Sequence, residues 1–351
     1  MKKYIMVAIM ICFVTANISF TAFAEGNRNI EIRKKILQQQ KEVDMIQCHM
    51  FKQAKQKSVA PEDYIPVLMY HHFETGEVEA GNGVIVNIAE FEEQIKALQQ
   101  AGYTTIFLSE LYYIMQQSKI EKEKGVKQPE LHLNKKYVVI TIDDGYKSNY
   151  ELVYPILQKY NMKANISVIT SLICTDFVCS PEGIERMSWE NLNEMQNSGL
   201  VEIYNHTYDH KPVGDRTYAD VCSSVIKGEE MLDKYLQKRS LVKVLTYPNG
   251  NYRKDIALSM QSDIEYDLQL TTDIYVVNRD TSMWEVPRIT VDAGWTGEEL
   301  LQNIENTAIK TFYQKKRFVF TPYRLKVISI VGLAVLAIVF IIVKVRNKKI
   351  I

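Results

Sequence analysis

The sequence has no excess of charge of either sign: 42 Lys and Arg stand against 42 Asp and Glu in 351 residues. That balance excludes the basic footprint by which proteins hold nucleic acid. Cysteine is scarce, with five residues in all. Cys12 lies within an apolar N-terminal run, and Cys48, Cys174, Cys179 and Cys222 show no C-x-x-C spacing, which excludes a zinc knuckle or a thioredoxin-like redox motif. Cys174 and Cys179 are close enough to pair across a turn, and the sequence leaves that pairing open. There are only six histidines, and no internal repeat is present.

Long hydrophobic runs are confined to the two ends. Residues 1–24 have the form of a signal peptide: Lys2 and Lys3 precede the apolar stretch Tyr4 to Ala16, and Ala22-Phe23-Ala24 offers a small-x-small cleavage site. Val327 to Val343 carries no charge and is long enough for one bilayer crossing at about 1.5 Å of rise per residue. Lysine and arginine flank this run on both sides, so the positive-inside rule does not orient it. Export of what precedes it does, leaving the basic tail 344–351 in the cytoplasm. The expectation is a single-pass protein of the cell membrane with its body outside the cell. Residues 25–61, rich in Lys, Gln and Glu, read as a helical stalk, and 311–326 as a juxtamembrane linker.

From residue 62 to 310 strand and helix patterns alternate. Strands are expected at Val67–Tyr70, Tyr137–Ile142, Ala164–Ile169, Leu200–Tyr204 and Val242–Thr246. Amphipathic stretches separate them at Phe91–Gln100, Ser109–Gln117, Asn149–Tyr160, Trp189–Asn197 and Tyr218–Gln237. Gly102 and Gly199 stand where helix C-caps belong. Thr296-x-x-Glu299 is a capping box opening a last helix, and the charged stretch Lys119–Gln128 reads as a surface loop. Such alternation implies a parallel α/β sheet, either barrel or doubly wound, with chemistry at the C-terminal ends of its strands.

The polar residues fall at those ends. The strand Tyr137–Ile142 runs into Asp143-Asp144-Gly145-Tyr146, and two adjacent carboxylates are costly to place together unless a cation offsets them. The strand ending at Tyr204 leads to His206-Thr207-Tyr208-Asp209-His210. That spacing is expected to put two imidazoles on one side of a helical turn, within reach of one ion. Two His and a carboxylate form the ligand set of a hydrolytic zinc site. A third strand leads to Tyr247-Pro248-Asn249-Gly250, a tight loop suited to presenting backbone N–H groups to a developing oxyanion.

Together these motifs resemble the polysaccharide deacetylase (NodB-homology) family, carbohydrate esterase family four. Thr141-Ile142-Asp143-Asp144-Gly145 is similar to its T-F-D-D-G motif, His206 to His210 to H-[ST]-x-x-H, and Tyr247-Pro248-Asn249-Gly250 to part of R-x-P-x-G. The resemblance covers roughly residues 62–310 and implies a distorted (β/α) barrel and a metal-dependent N-deacetylase acting on poly-N-acetylglucosamine or peptidoglycan. By position, Asp143 is the implied general base, and Asp144, His206 and His210 the ligands of a divalent metal, zinc first, with cobalt or nickel as alternatives. The resemblance likewise implies that the Asn249 N–H helps bind the oxyanion. Tyr146, Tyr247, Pro248 and Tyr252 are expected at the substrate, with Trp189, Tyr208, Trp284 and Trp295 as further candidates for a sugar groove. An N-acetylated polysaccharide and the membrane are the expected partners of a monomer.

Two departures stand out. Thr246 occupies the place of the arginine that orients the base, so that arginine is missing or supplied elsewhere. No histidine follows His210, although the family's acid usually comes late in the domain. The branch similar to exported poly-N-acetylglucosamine deacetylases carries it early, and Pro66 to Phe73, with His71 and His72 at a strand end, resembles that early motif. His71 is assigned as the acid, with His72 as the alternative. A non-catalytic carbohydrate-binding or scaffolding protein on the same fold is the competing reading.

Overall fold

The computed structural model describes residues 58–125, 131, 133–174 and 185–313. The signal peptide, most of the stalk, His49, His132, Cys179 and the apolar run Val327–Val343 lie outside them. Among the described residues, no helix is long and apolar enough to cross a membrane.

Ten strands and seven α-helices are described. The strands are β1 (Val67–Tyr70), β2 (His72–Glu74), β3 (Ile85–Asn87), β4 (Tyr103–Thr105), β5 (Lys136–Asp144), β6 (Ala164–Val168), β7 (Val201–Asn205), β8 (Val244–Thr246), β9 (Leu268–Leu270) and β10 (Ile289–Thr290). The helices are α1 (Ile88–Gln100), α2 (Leu108–Glu123), α3 (Tyr154–Tyr160), α4 (Trp189–Asn197), α5 (Tyr218–Tyr235), α6 (Lys254–Asp263) and α7 (Gly297–Tyr313). The main sheet is parallel throughout and runs β10-β1-β5-β6-β7-β8-β9, with β4 paired to the start of β5. A parallel bridge joins Leu270, the last residue of β9, to Val286 in the segment leading into β10, which brings the two edges of the sheet near one another. The result is an incomplete barrel.

Period-two alternation along β5 sorts the two faces. Ile140 and Ile142 join a buried cluster with Phe91, Ile95 and Leu98 of α1, Leu192 and Met195 of α4, and Leu300 and Ile304 of α7. Each such side chain contributes about 1.5–3 kcal/mol by leaving water. The opposite face carries Val139, which packs with Val67, Tyr204, Val244 and Leu268, and then Thr141 and Asp143. Register aligns the strand ends. Tyr70 pairs with Ile142, Asp144 with Val168, and Val168 with Asn205, so the segments after β1, β5, β7 and β8 all emerge on one rim.

The five expected strands and the helices α1, α2, α4 and α5 form where their patterns place them, with boundaries shifted by a few residues. Trp189–Asn197 coincides with α4. Gly102 and Gly199 take left-handed φ values of 80° and 77°, as C-caps do. Thr296 and Glu299 make the expected reciprocal bonds. The charged stretch from Lys119 is not a loop at its start: α2 continues to Glu123, because Lys and Glu are good helix formers. Asn149–Val153 is a π-helical turn before α3. The strands β2, β3, β4, β9 and β10 are too short to show a periodicity in sequence.

Helix α5 approaches β7 closely. A Cβ at Gly228 would lie 2.5 Å from Asn205 Oδ1, and Asn205 Nδ2 bonds the Val225 carbonyl and Glu229 of that helix. Alanine is the better helix former by about 1 kcal/mol, yet Gly228→Ala is expected to destabilise the protein by about 1–3 kcal/mol through overpacking. A denaturant midpoint that rises or stays put would contradict this contact.

Candidate active site

Asp144 ends β5 with a left-handed φ of 75°, followed by Gly145 at 77°. This reversal turns the Asp144 carboxylate out of the sheet toward the segment after β7. Its Oδ1 lies 3.3 Å from His206 Nε2 and 3.4 Å from His210 Nε2, and the two imidazole nitrogens are 3.2 Å apart. His206 Nδ1 lies 2.9 Å from the Thr246 carbonyl. A carbonyl only accepts, so Nδ1 bears the hydrogen and Nε2 presents its lone pair. Asp144 Oδ1 is buried without a hydrogen-bond partner. Three donor atoms within 4.8 Å of one another, one of them an orphaned carboxylate oxygen, fit a divalent cation. The imidazoles do not share a helical turn as the spacing implied. Thr207 and His210 have φ of 67° and 53°, and an irregular loop brings His210 back, held by its N–H to Thr207 Oγ1 at 3.0 Å.

Asp143 points into the barrel, near enough to His206 and His71 for both imidazoles to favour its charge. Arg288, just before β10, is nearly fully buried and grips it with two nitrogens, Nη1 to Oδ1 at 2.9 Å and Nη2 to Oδ2 at 2.8 Å. Arg288 Nε donates to the Thr271 carbonyl at 2.9 Å. An arginine absent at Thr246 thus reaches Asp143 from the segment just before β10, while Thr246 Oγ1 pairs with Ser167 Oγ at 2.7 Å. Burial pushes the Asp143 carboxyl up, but Arg288, His206 and His71 together outweigh it and hold it below its ordinary value. Sequence reasoning did not find Arg288. Its signal was a lone charge in the strand-like run Val286 to Val291, a residue seldom buried unless paired.

His71 and His72 diverge, as neighbouring residues of an extended chain do. His71 Nε2 lies 3.9 Å from Asp143 Oδ2. Burial lowers its pKa, and the charges of Asp143 and Asp144 offset that only in part. His72 faces away, with Nδ1 2.9 Å from Ser148 Oγ and Nε2 3.5 Å from Glu74, along a cleft of ≈ 510 Å³.

The remaining candidates divide. Asn249 is exposed on the rim with φ 55°, in a turn closed by the Gly250 N–H to the Tyr247 carbonyl. Tyr146 is mostly buried between His72 and the guanidinium of Arg186, which lies 3.7 Å from its ring centroid. Tyr252 is half-buried and donates to Glu285 at 2.7 Å. Tyr247 and Pro248 are corrections. Tyr247 is fully buried, stacks on Tyr252 and donates to Gln269 Oε1. Pro248 is buried beneath the turn. Tyr247 therefore belongs to the core, with Tyr252 packed against its outer side. Trp189 is core too, stacked on Tyr235. Cys174 is disulfide-bonded.

A family profile described as polysaccharide deacetylase matches residues 131–268, the stretch that contains both carboxylates, both metal-side histidines and Asn249. The chain carries a polysaccharide deacetylase domain. It is 29% identical over 242 residues to the putative polysaccharide deacetylase YxkH of Bacillus subtilis, covering 69% of this chain and 76% of that one. It is 25% identical over 213 residues to the poly-beta-1,6-N-acetyl-D-glucosamine N-deacetylase of Staphylococcus aureus, covering 59% and 67%. Among solved structures, the deacetylase PplD of Streptococcus pyogenes in complex with acetate superposes with a TM-score of 0.56 at 25% identity, over 71% of this chain and all of that one. IcaB from Ammonifex degensii shares the fold, with a TM-score of 0.55 at 22% identity over 69% and 97% of the two chains.

The Asp143–Arg288 pair is predicted to behave as a buried unit. Arg288→Met should destabilise the fold by about 3–5 kcal/mol by leaving a buried carboxylate uncompensated. Adding Asp143→Asn should recover a large part of that loss. Additive effects in denaturant titrations of the double variant would show that the two do not interact.

Proposed function

We propose that this deacetylase domain removes N-acetyl groups from an N-acetylglucosamine polymer of the cell surface, poly-N-acetylglucosamine or peptidoglycan, with zinc held by Asp144, His206 and His210. The observation that carries the reading is one rim on which the arginine-held carboxylate of Asp143, the partly buried imidazole of His71 and the Asp-His-His cluster converge. An N-deacetylase is a hydrolase of carbon–nitrogen bonds other than peptide bonds. The polymer class is supported by the Staphylococcus relative, whose name gives that substrate for itself. Acetate, the expected product, is bound in the PplD structure.

When bound, the metal supplies a Lewis acid that polarises the acetyl carbonyl and makes water a better nucleophile. The chain's own residues supply the rest. Asp143, kept ionised and aimed by Arg288, takes the proton of the attacking water. The Asn249 N–H, at the apex of its turn, faces the oxygen on which charge develops. His71, on the far side of Asp143, gives its Nε2 proton to the departing sugar amine, so that acetate and a glucosamine unit result. His72 is turned away and takes no part. Export through the N-terminal segment and anchorage by Val327–Val343 would bring the domain to such a polymer.

Acetate release from poly-N-acetylglucosamine, chitin oligomers and peptidoglycan tests the substrate class, and no release from any of them would refute it. His206→Ala or His210→Ala is expected to lose zinc by elemental analysis while the fold persists. Asp143→Asn is expected to keep zinc and lose about 10²–10⁴-fold in turnover. His71 acts in its protonated form, so kcat/KM should fall as pH rises through its pKa. Asp143 raises that pKa, so in Asp143→Asn whatever activity remains should fall at lower pH than in the wild type. An alkaline limb unmoved by both Asp143→Asn and His71→Ala would assign it to another group.

A further inference from the structure

A catalytic imidazole usually has its second nitrogen fixed by a carboxylate or carbonyl. His71 lacks this: its Nδ1 is buried with no hydrogen-bond partner. What is fixed is the backbone that bears it. Asn149, fully buried, donates from Nδ2 to the His71 carbonyl at 2.8 Å. Ser148 Oγ accepts the Phe73 N–H at 3.2 Å and lies 2.9 Å from His72 Nδ1. The turn between β1 and β2 is thus tied to two consecutive residues of the segment that also carries Asp143 and Asp144. Asn149 opens the π-helical turn Asn149–Val153, a rare geometry found often at functional sites. Its Oδ1 makes no hydrogen bond, an unfavourable state for a buried carbonyl that packing alone does not require.

We propose that Ser148 and Asn149 are positioning residues for the acid. They clamp residues 71–73 to the segment of the base, and so set where His71 Nε2 meets the leaving nitrogen. The inference rests on the acid role of His71 proposed above.

The test compares two substrates with the zinc-loaded full chain. An N-acetylglucosamine oligomer needs a proton on its amine as the C–N bond breaks, whereas 4-nitrophenyl acetate releases a phenolate that leaves without one. Asn149→Asp keeps the size of the side chain and removes the donor. It should lower kcat on the oligomer about tenfold to a hundredfold, as misplacing a reacting group by an ångström does, with KM, zinc content and ester hydrolysis unchanged. Ser148→Ala should act alike, and Ser148→Thr, which keeps the hydroxyl, should restore most of the loss. Equal losses on ester and oligomer overturn the clamp. So does normal oligomer turnover in Asn149→Asp and Ser148→Ala when His71→Ala is impaired. Full oligomer turnover in His71→Ala removes the acid assignment, and the clamp with it.

Discussion

The buried pair of Asp143 and Arg288 is the constraint around which the site is arranged. Two consecutive carboxylates end β5, and the left-handed backbone at Asp144 gives them different neighbours. One meets two imidazoles on the rim, and the other enters the barrel, where an isolated charge would cost several kcal/mol in lost hydration. A guanidinium gripping both oxygens offsets that cost and fixes the carboxylate's plane. Arg288 also reaches Thr141 of β5 and the Thr271 carbonyl beyond β9. It therefore ties the centre of the sheet to the seam between its edges, and one ion pair both braces the incomplete barrel and fixes the Asp143 carboxylate.

Strain gathers on the same rim. Among the described residues, six other than glycine have a left-handed φ, and Asp144, Thr207, His210 and Asn249 are four of them. Such conformations cost roughly 1–3 kcal/mol each and persist where surrounding structure over-determines them. Here the surroundings are identifiable. The Arg186 guanidinium donates to the Asp144 carbonyl at 3.0 Å, Asn205 Oδ1 accepts the Thr207 N–H at 2.8 Å, and Asp209 is held by Ser224 and Arg216. These bonds fix the donor atoms of Asp144, His206 and His210 relative to one another, as a preorganised site requires.

The legible parts of the site are those whose partners are close in sequence. Asp143 and Asp144 are adjacent, and His206 and His210 lie in one loop, so their composition at strand ends was enough to single them out. Arg288 was not legible, because its partner is 145 positions away and β10 is two residues long. The family profile, too, stops at residue 268, short of Arg288, and starts after His71. Tyr247 was misread for a related reason: a turn motif marks where the chain reverses, and only packing against Gln269 and Tyr252 shows that its ring points inward.

By itself the sequence determined the α/β class, most of the strands that carry the site, and the residue types at their ends, because these depend on local periodicity and on neighbours a few positions away. It also singled out His71 and His72 as histidines at a strand end outside the His206–His210 motif. The tertiary structure decided what depends on register and long-range packing. It turned His71 rather than His72 toward Asp143, brought Arg288 to Asp143 from the segment before β10, replaced the expected helical turn by a strained loop, and moved Tyr247 into the core. The physical reason is the same in each case. The direction of a side chain is set by the pleat and by what fills the opposite wall, and in this barrel that wall comes from the far end of the chain.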